Sequence, residues 1–271
     1  MKLTDIERRE FLGLVWDFYR SSSRHELPWR QPEHDGTFDP YKILVSELML
    51  QQTQVVRVVP KYREFLRQFP TIQVLAASDL GDVLRAWQGL GYNRRAKYLW
   101  LAAQSIDSAG QFPATHEALV KLPGVGTNTA GAIRAYAWNQ QVVFIETNIR
   151  TVYIHHFTRD NEIVSDDFIR DCVEYTLDHE HPREFYWALM DYGAYLKTQV
   201  KTIHRSKHYV KQTTFHGSKR QIRGQILREL SMRPLSAKQL AVSIGDDRLQ
   251  LVLAELCDEN LITKNGERYC L

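Results

Sequence analysis

The sequence predicts an all-α chain, and three observations carry that expectation. Apolar residues recur at helical spacing in segment after segment, as at Leu75, Leu80, Val83, Leu84 and Trp87, which places them on one face of a helix. Proline and glycine punctuate these segments at Pro60, Pro70, Gly81, Gly89, Pro113 and Gly124, where they are expected to end helices. No repeat of solenoid period and no low-complexity tract breaks the pattern, so neither a repeat array nor a disordered scaffold is indicated.

Taken in order, the first twenty residues, "MKLTDIERREFLGLVWDFYR", carry acids and bases at helical spacing and no sustained apolar stretch. That is unlike a secretory signal, so the expected compartment is intracellular, the cytoplasm or the nucleoid. The chain has 271 residues, 44% hydrophobic and 25% charged, enough for a sizeable buried core in one large domain with a small one, or in two lobes around a shared cleft. No apolar run approaches the roughly 18 residues that a membrane span needs, so a membrane partner is not expected. Cys172, Cys257 and Cys270 are scattered without a CxxC pair, which indicates neither a disulfide framework nor a metal site; three free, buried thiols are expected.

Net charge is only +3, but no Asp or Glu lies between Asp191 and Glu229, while Lys197, Lys201, Arg205, Lys207, Lys211, Lys219, Arg220, Arg223 and Arg228 do. This is either a stripe suited to a polyanion or a solvated linker. The domains expected are a helical body over 1–198, a basic connector over 199–217 and a C-terminal module over 218–271. In that module, helical patterns near 218–232, 236–243 and 246–259 precede "LITKNGERYCL", whose Asn265-Gly266 signals a type I′ hairpin. Three helices and a hairpin resemble a winged helix. Its third helix carries Asp246, Asp247, Glu255, Asp258 and Glu259 against Arg248 alone, a charge that phosphates repel. The module therefore reads as a packing or protein-partner surface, its DNA contacts limited to Lys264, Arg268 and the first helix.

Four stretches carry chemistry. In "LPGVGTNTAGAI", residues 122–133, a Pro-Gly-Val-Gly turn leads into a new helix; glycines allow close backbone approach, and the helix N-terminus suits one phosphate oxygen. The turn resembles a helix-hairpin-helix, though a glycine-rich turn between helices can be no more than that. In "SELMLQQTQV", residues 46–55, Glu47 sits among Leu44, Val45, Leu48, Met49 and Leu50, surroundings that raise a carboxyl pKa as a general acid requires. Gln51 shares its face and Gln52 lies beside it, as readers of base edges or as a solvent-facing polar stripe. In "GLGYNRRAKYL", residues 89–99, two glycines precede Tyr92 and the bases Arg94, Arg95 and Lys97, the makings of an aromatic wedge beside phosphate-neutralising charge, or of a buried tyrosine at a helix start. In "FIETNIR", residues 144–150, Glu146 and Asn148 follow an apolar run and precede a helix; Glu146 is a poorer helix cap than Asp, Asn or Ser.

Together with "LPWR" at 27–30 and "MDYGA" at 190–194, these motifs in this order resemble the adenine DNA glycosylases of the helix-hairpin-helix superfamily, which includes endonuclease III, over roughly residues 5–196. The resemblance implies two all-helical lobes with a DNA-binding cleft between them and duplex DNA carrying a mispaired or damaged base as the partner of a monomer. It implies that Glu47 protonates the leaving adenine, that Gln52 and Tyr92 wedge into the duplex, that Gly124 and Gly126 hold phosphate, and that Asn148 is an active-site amide. Arg30, Gln51, Thr53, Arg94, Arg95 and Asn128 are further expected DNA-facing positions.

The departures matter as much. Glu146 falls where the family has its catalytic aspartate, one methylene longer. Asn128 stands where strand-cleaving relatives carry lysine; without an amine no Schiff base forms, so base release without strand cleavage is expected. The iron-sulfur cluster of these relatives would begin after "MDYGA", where this chain reads "YLKTQVKTIHRSKHYVKQ" without cysteine, so no cofactor is expected. Lys201, Arg205 and Lys207 are expected to contact DNA in its place. A nucleotide-hydrolase-like C-terminal domain common in the family is replaced by the winged-helix-like module. Excised adenine opposite G or 8-oxoguanine is the first reading; a mispaired thymine, uracil or modified base, or a mismatch sensor of weak activity that recruits a partner, are the alternatives.

Overall fold

The computed structural model describes residues 3–159, 162–209 and 214–271. It is mainly helical, with α1 (Asp5–Ser22), α2 (Pro40–Leu50), α3 (Val55–Gln68), α4 (Ile72–Ala76), α5 (Leu80–Ala86), α6 (Arg94–Ala109) and α7 (His116–Leu119) in the first half. There follow α8 (Thr127–Trp138), α9 (Thr147–Phe157), α10 (Asp166–Thr176), α11 (Pro182–Gln199), α12 (Lys219–Met232), β1 (Leu235–Ser236), α13 (Ala237–Ile244), α14 (Leu249–Asp258), β2 (Thr263–Asn265) and β3 (Arg268–Cys270). None of these helices is long and apolar enough to cross a membrane.

The chain forms two compact units that alternate along the sequence. The first comprises residues 1–43, 114–120 and 125–211. Its helix α1 starts at a capping box, in which Thr4 and Glu7 satisfy each other's backbone N–H groups. Phe11 of α1 meets Tyr153 and Phe157 of α9 at ring separations of 5.3 and 5.0 Å. Helix α11 packs against both α9 and α1. That approach needs a glycine: a Cβ on Gly193 would lie 2.3 Å from the carbonyl oxygen of Asn148.

The second unit comprises residues 44–113, 121–124 and 212–271. Trp87 is fully buried against Phe65, with ring centroids 6.0 Å apart. Helix α12 packs on α5 and on α13 and α14. Behind it a three-stranded antiparallel sheet runs in the order β1-β3-β2, with Leu235 and Lys264 both paired to Tyr269. Helix, short strand, helix, helix and hairpin is the winged-helix order the sequence predicts, plus the two-residue strand β1 that its period was too short to reveal. Helix α14 begins later than expected, because the Asp246 carboxylate accepts the Arg248 backbone N–H at 2.9 Å and holds a turn there.

Two expectations need correction. Pro60 lies inside α3 rather than ending it; it is exposed, as is Val56 one turn earlier, so water can satisfy the carbonyl that loses its donor. The basic connector is, up to residue 209, packed structure of the first unit. Val164 N donates to Arg205 O at 2.8 Å and Lys207 N to Val164 O at 3.0 Å. Lys211 and the rest of 210–213 lie outside the described residues.

Candidate active site and nucleic-acid surfaces

In the first unit an extended segment delivers Glu146 to the start of α9. Phe144 stacks on Tyr186 at 4.0 Å between centroids, the Tyr186 hydroxyl donates to Val142 O at 2.6 Å, and Ile145 N donates to the Asn128 carboxamide oxygen at 3.2 Å. Glu146 is the N-cap of α9 by backbone conformation, but its side chain makes no capping bond. Burial pushes its carboxyl above the ordinary range, opposed by the charge of Arg150, a backbone bond at Thr147 and the charge of Lys197. Arg150 is fixed by a two-point bond to Asp166 at 2.8 and 2.6 Å. Lys197 donates to the Asn148 oxygen at 2.6 Å, and the Asn148 amide faces Met190 Sδ at 4.0 Å.

This arrangement holds a partly desolvated carboxylate beside two cations and an oriented amide, a set that can stabilise positive charge developing on a substrate. Sequence reasoning singled out Glu146 and Asn148 and left Lys197 in the basic stripe. The partner that gives Lys197 its place is 49 residues away in sequence, and no local signal marks it. Lys197 is exposed, and the partial desolvation it meets beside Asn148 lowers its pKa, with Glu146 opposing.

Two expected DNA contacts in this unit are structural instead. Arg30 is buried and donates to both carboxylate oxygens of Asp191 at 2.7 and 3.0 Å. Arg205 is also buried, and its guanidinium donates to the Thr158 hydroxyl at 2.5 Å and to the Arg159 and Glu162 carbonyls. Lys201 and Lys207 are exposed and remain accessible to phosphate. At the start of α8, Gly126 is exposed and a Cβ there would meet nothing within 4 Å, so the first N–H groups of the helix lie open to an anion.

In the second unit Glu47 is half-buried on α2 beside Leu48 and Met49, which are fully buried. The two expected wedge residues share an unusual backbone: Gln52 has φ of 55° and Tyr92 φ of 48°, the left-handed region that non-glycine residues rarely adopt. Both are exposed. Arg95 explains how they are held. Its buried guanidinium donates to the carbonyls of Leu48, Met49 and Gln51 at 2.7, 3.0 and 2.5 Å. It also donates to Gly91 O at 2.9 Å and the Thr53 hydroxyl at 3.1 Å. One cation thus caps the carbonyl end of α2 and ties it to the Tyr92 loop, and burial brings its pKa down to about 10. Arg95 is therefore scaffolding rather than a phosphate contact, with half-exposed Thr53 bonded to it; Arg94 is exposed. In the hairpin turn Gly124 has φ of 78°, and a Cβ there would come 2.8 Å from Tyr98 Cβ, so packing as well as conformation requires glycine.

A cleft of about 1190 Å³ lies in this unit, lined by residues of α12 and by both wedge residues. Glu255 and Glu259 are on its wall but are paired: Lys219 reaches Glu255 at 2.7 Å, and Glu259 accepts from Arg223 and lies 3.4 Å from Arg94. Two of the acids thought to repel phosphate are thus neutralised within the module.

Residues 45–175 match the family model described as "HhH-GPD superfamily base excision DNA repair protein". Among named relatives the chain is similar to adenine DNA glycosylases: 40% identical over 186 residues to that of Mycobacterium tuberculosis, covering 67% of this chain and 59% of the relative. Identity to the Buchnera aphidicola protein is 34% over 187 residues, 68% of this chain and 52% of that one. The human protein is 34% identical over 203 residues, 71% of this chain and 37% of that one. The chain thus spans about half the length of the bacterial relatives. In fold it resembles a thermostable thymine-DNA glycosylase, with TM-score 0.60 and 23% identity over 71% of this chain and 88% of that one. An endonuclease III bound covalently to DNA gives TM-score 0.59 and 18% identity over 72% and 88%. The iron-sulfur cluster implied by endonuclease III-type relatives does not fit: Cys172 is buried in α10 of the first unit, while Cys257 and Cys270 belong to the second, and such clusters take four thiolates.

Proposed function

We propose that the chain is a DNA glycosylase of base excision repair that flips a mispaired adenine, opposite G or 8-oxoguanine, from duplex DNA and hydrolyses its bond to deoxyribose. The observation that carries this reading is the Glu146, Asn148 and Lys197 cluster in a chain 40% identical over 186 residues to an adenine DNA glycosylase. The C1′–N bond breaks with its electron pair leaving on the base, which takes a proton from Glu47. The Glu146 carboxylate, kept toward its ionised form by Arg150 and Lys197, stabilises the cationic sugar. Water then adds at C1′ and releases its proton to solvent, from which Glu47 is reprotonated.

Asn128 supplies no amine nucleophile, and its oxygen is already engaged with Ile145 N, which supports a monofunctional enzyme; we take it to be a cofactor-free monomer acting on DNA inside the cell. Exposed Asp247 and Asp258 of the C-terminal module suit a basic protein partner better than DNA. The test is incubation with duplexes carrying A opposite 8-oxoguanine, A opposite G, T opposite G and U opposite G, then alkaline cleavage of abasic sites. Release confined to the adenine pairs and lost in Glu47→Gln supports the reading. Release from T or U pairs overturns the adenine assignment, and tight binding without release makes the chain a mismatch sensor.

A further inference from the structure

The cleft of the second unit gathers chemistry that base release does not use. Phe215, 56% exposed, lies on its wall and offers a stacking face to a base. Gln88, Gln221 and Gln225 bring carboxamides, which pair with base edges. The amide nitrogen of Gln88 is buried and has no hydrogen-bond partner among the described residues, which calls for a physical explanation such as an ordered water or a bound group. Arg57 and Arg228 add positive charge to the lining, and neither has a carboxylate within ion-pair distance among the described residues.

Gly224 adds an independent sign. It stands mid-helix in α12, where glycine is less favourable than alanine. Packing does not demand it, since a Cβ there would meet nothing within 4 Å. It lines the cleft, and its missing side chain leaves room there. Arg220 joins the two walls: it donates to the Tyr92 hydroxyl at 2.6 Å and lies 5.7 Å over that ring. A volume of about 1190 Å³ exceeds the roughly 300–1000 Å³ of small-molecule pockets, and suits a piece of nucleic-acid strand.

We propose that this cleft, between α12 and the Tyr92 loop, receives the base left unpaired on the complementary strand once the target base has been flipped. The base stacks on Phe215 under the carboxamides, and its flanking phosphates lie against Arg57 and Arg228. The inference rests on the glycosylase reading and adds which part of the chain senses the opposite base.

The test uses the full chain and a duplex with a tetrahydrofuran abasic analogue opposite 2-aminopurine, whose emission reports its stacking. Binding of the unaltered protein is expected to change that emission. Gly224→Leu, which fills the cleft, and Phe215→Ala, at an exposed position, are each expected to remove most of the change. Both weaken binding to this duplex by about tenfold, ~1.4 kcal/mol, while binding to fully paired duplex stays within about twofold. Gly224→Ala is expected to raise the melting temperature, which separates folding from recognition. An emission change that persists in both cleft variants at saturation, or no change with the unaltered protein bound, overturns the inference. Failure of the unaltered protein to bind the duplex at all overturns the glycosylase reading instead.

Discussion

Glu146 takes the backbone position of a helix cap without using its side chain as one, which leaves the carboxylate to chemistry. Glu146→Gln is expected to lower base release by about 10²–10⁴-fold, measured as single-turnover rate, with duplex affinity retained. Burial raises this carboxyl while Arg150 and Lys197 pull it down, so removing one cation moves it further up. Lys197→Met should shift the acid limb of the rate profile to higher pH, with a larger loss at pH 6 than at pH 8. An unmoved limb would separate Lys197 from Glu146. Because the folded carboxyl binds its proton more tightly than an unfolded one, this group also subtracts stability as pH rises from about 4.3 through its raised value.

At the scale of elements, Arg95 is the buried rivet between the end of α2 and the Tyr92 loop. Arg95→Ala leaves several buried carbonyls without donors and is expected to cost about 3 kcal/mol or more, read by denaturant unfolding. Lysine cannot replace it, since a single ammonium does not span the fork of acceptors. Helices such as α1 and α12 were legible because their signals are local: apolar spacing, caps, punctuating glycine. Arg95 read as a phosphate contact because it follows Tyr92, and the carbonyls that claim it begin 47 residues earlier. Gly193 was legible as part of a motif, while its reason, the backbone of Asn148 pressed against it, was not. Gly193→Ala is expected to destabilise the fold and to reduce activity together.

At the scale of the whole molecule, charge divides into contacts with solvent and contacts with the fold. Replacing Lys201 and Lys207 by Ala should reduce the salt slope of duplex binding by about 2, since each phosphate contact contributes roughly 0.9. Arg205→Ala should instead lower the melting temperature, because its guanidinium is buried among carbonyls. Acid should destabilise the protein through Asp191. Burial raises that carboxyl, but the bonds and charges of Arg30 and Arg24 outweigh burial and hold it low. The stability it contributes is therefore present above the ordinary Asp value and is lost as pH falls through the folded one.

The alternation of the two units has a consequence for synthesis. The second unit opens at residue 44, halts at residue 113 apart from one short turn, and resumes only at residue 212. On a ribosome adding about 5–20 residues per second, α3 to α6 emerge roughly 5–20 s before α12 can follow. During that interval the face of α5 that α12 will cover stands bare on the nascent chain. The stretch most in need of a chaperone is therefore an early one, and its rescue comes from helices made after residue 212.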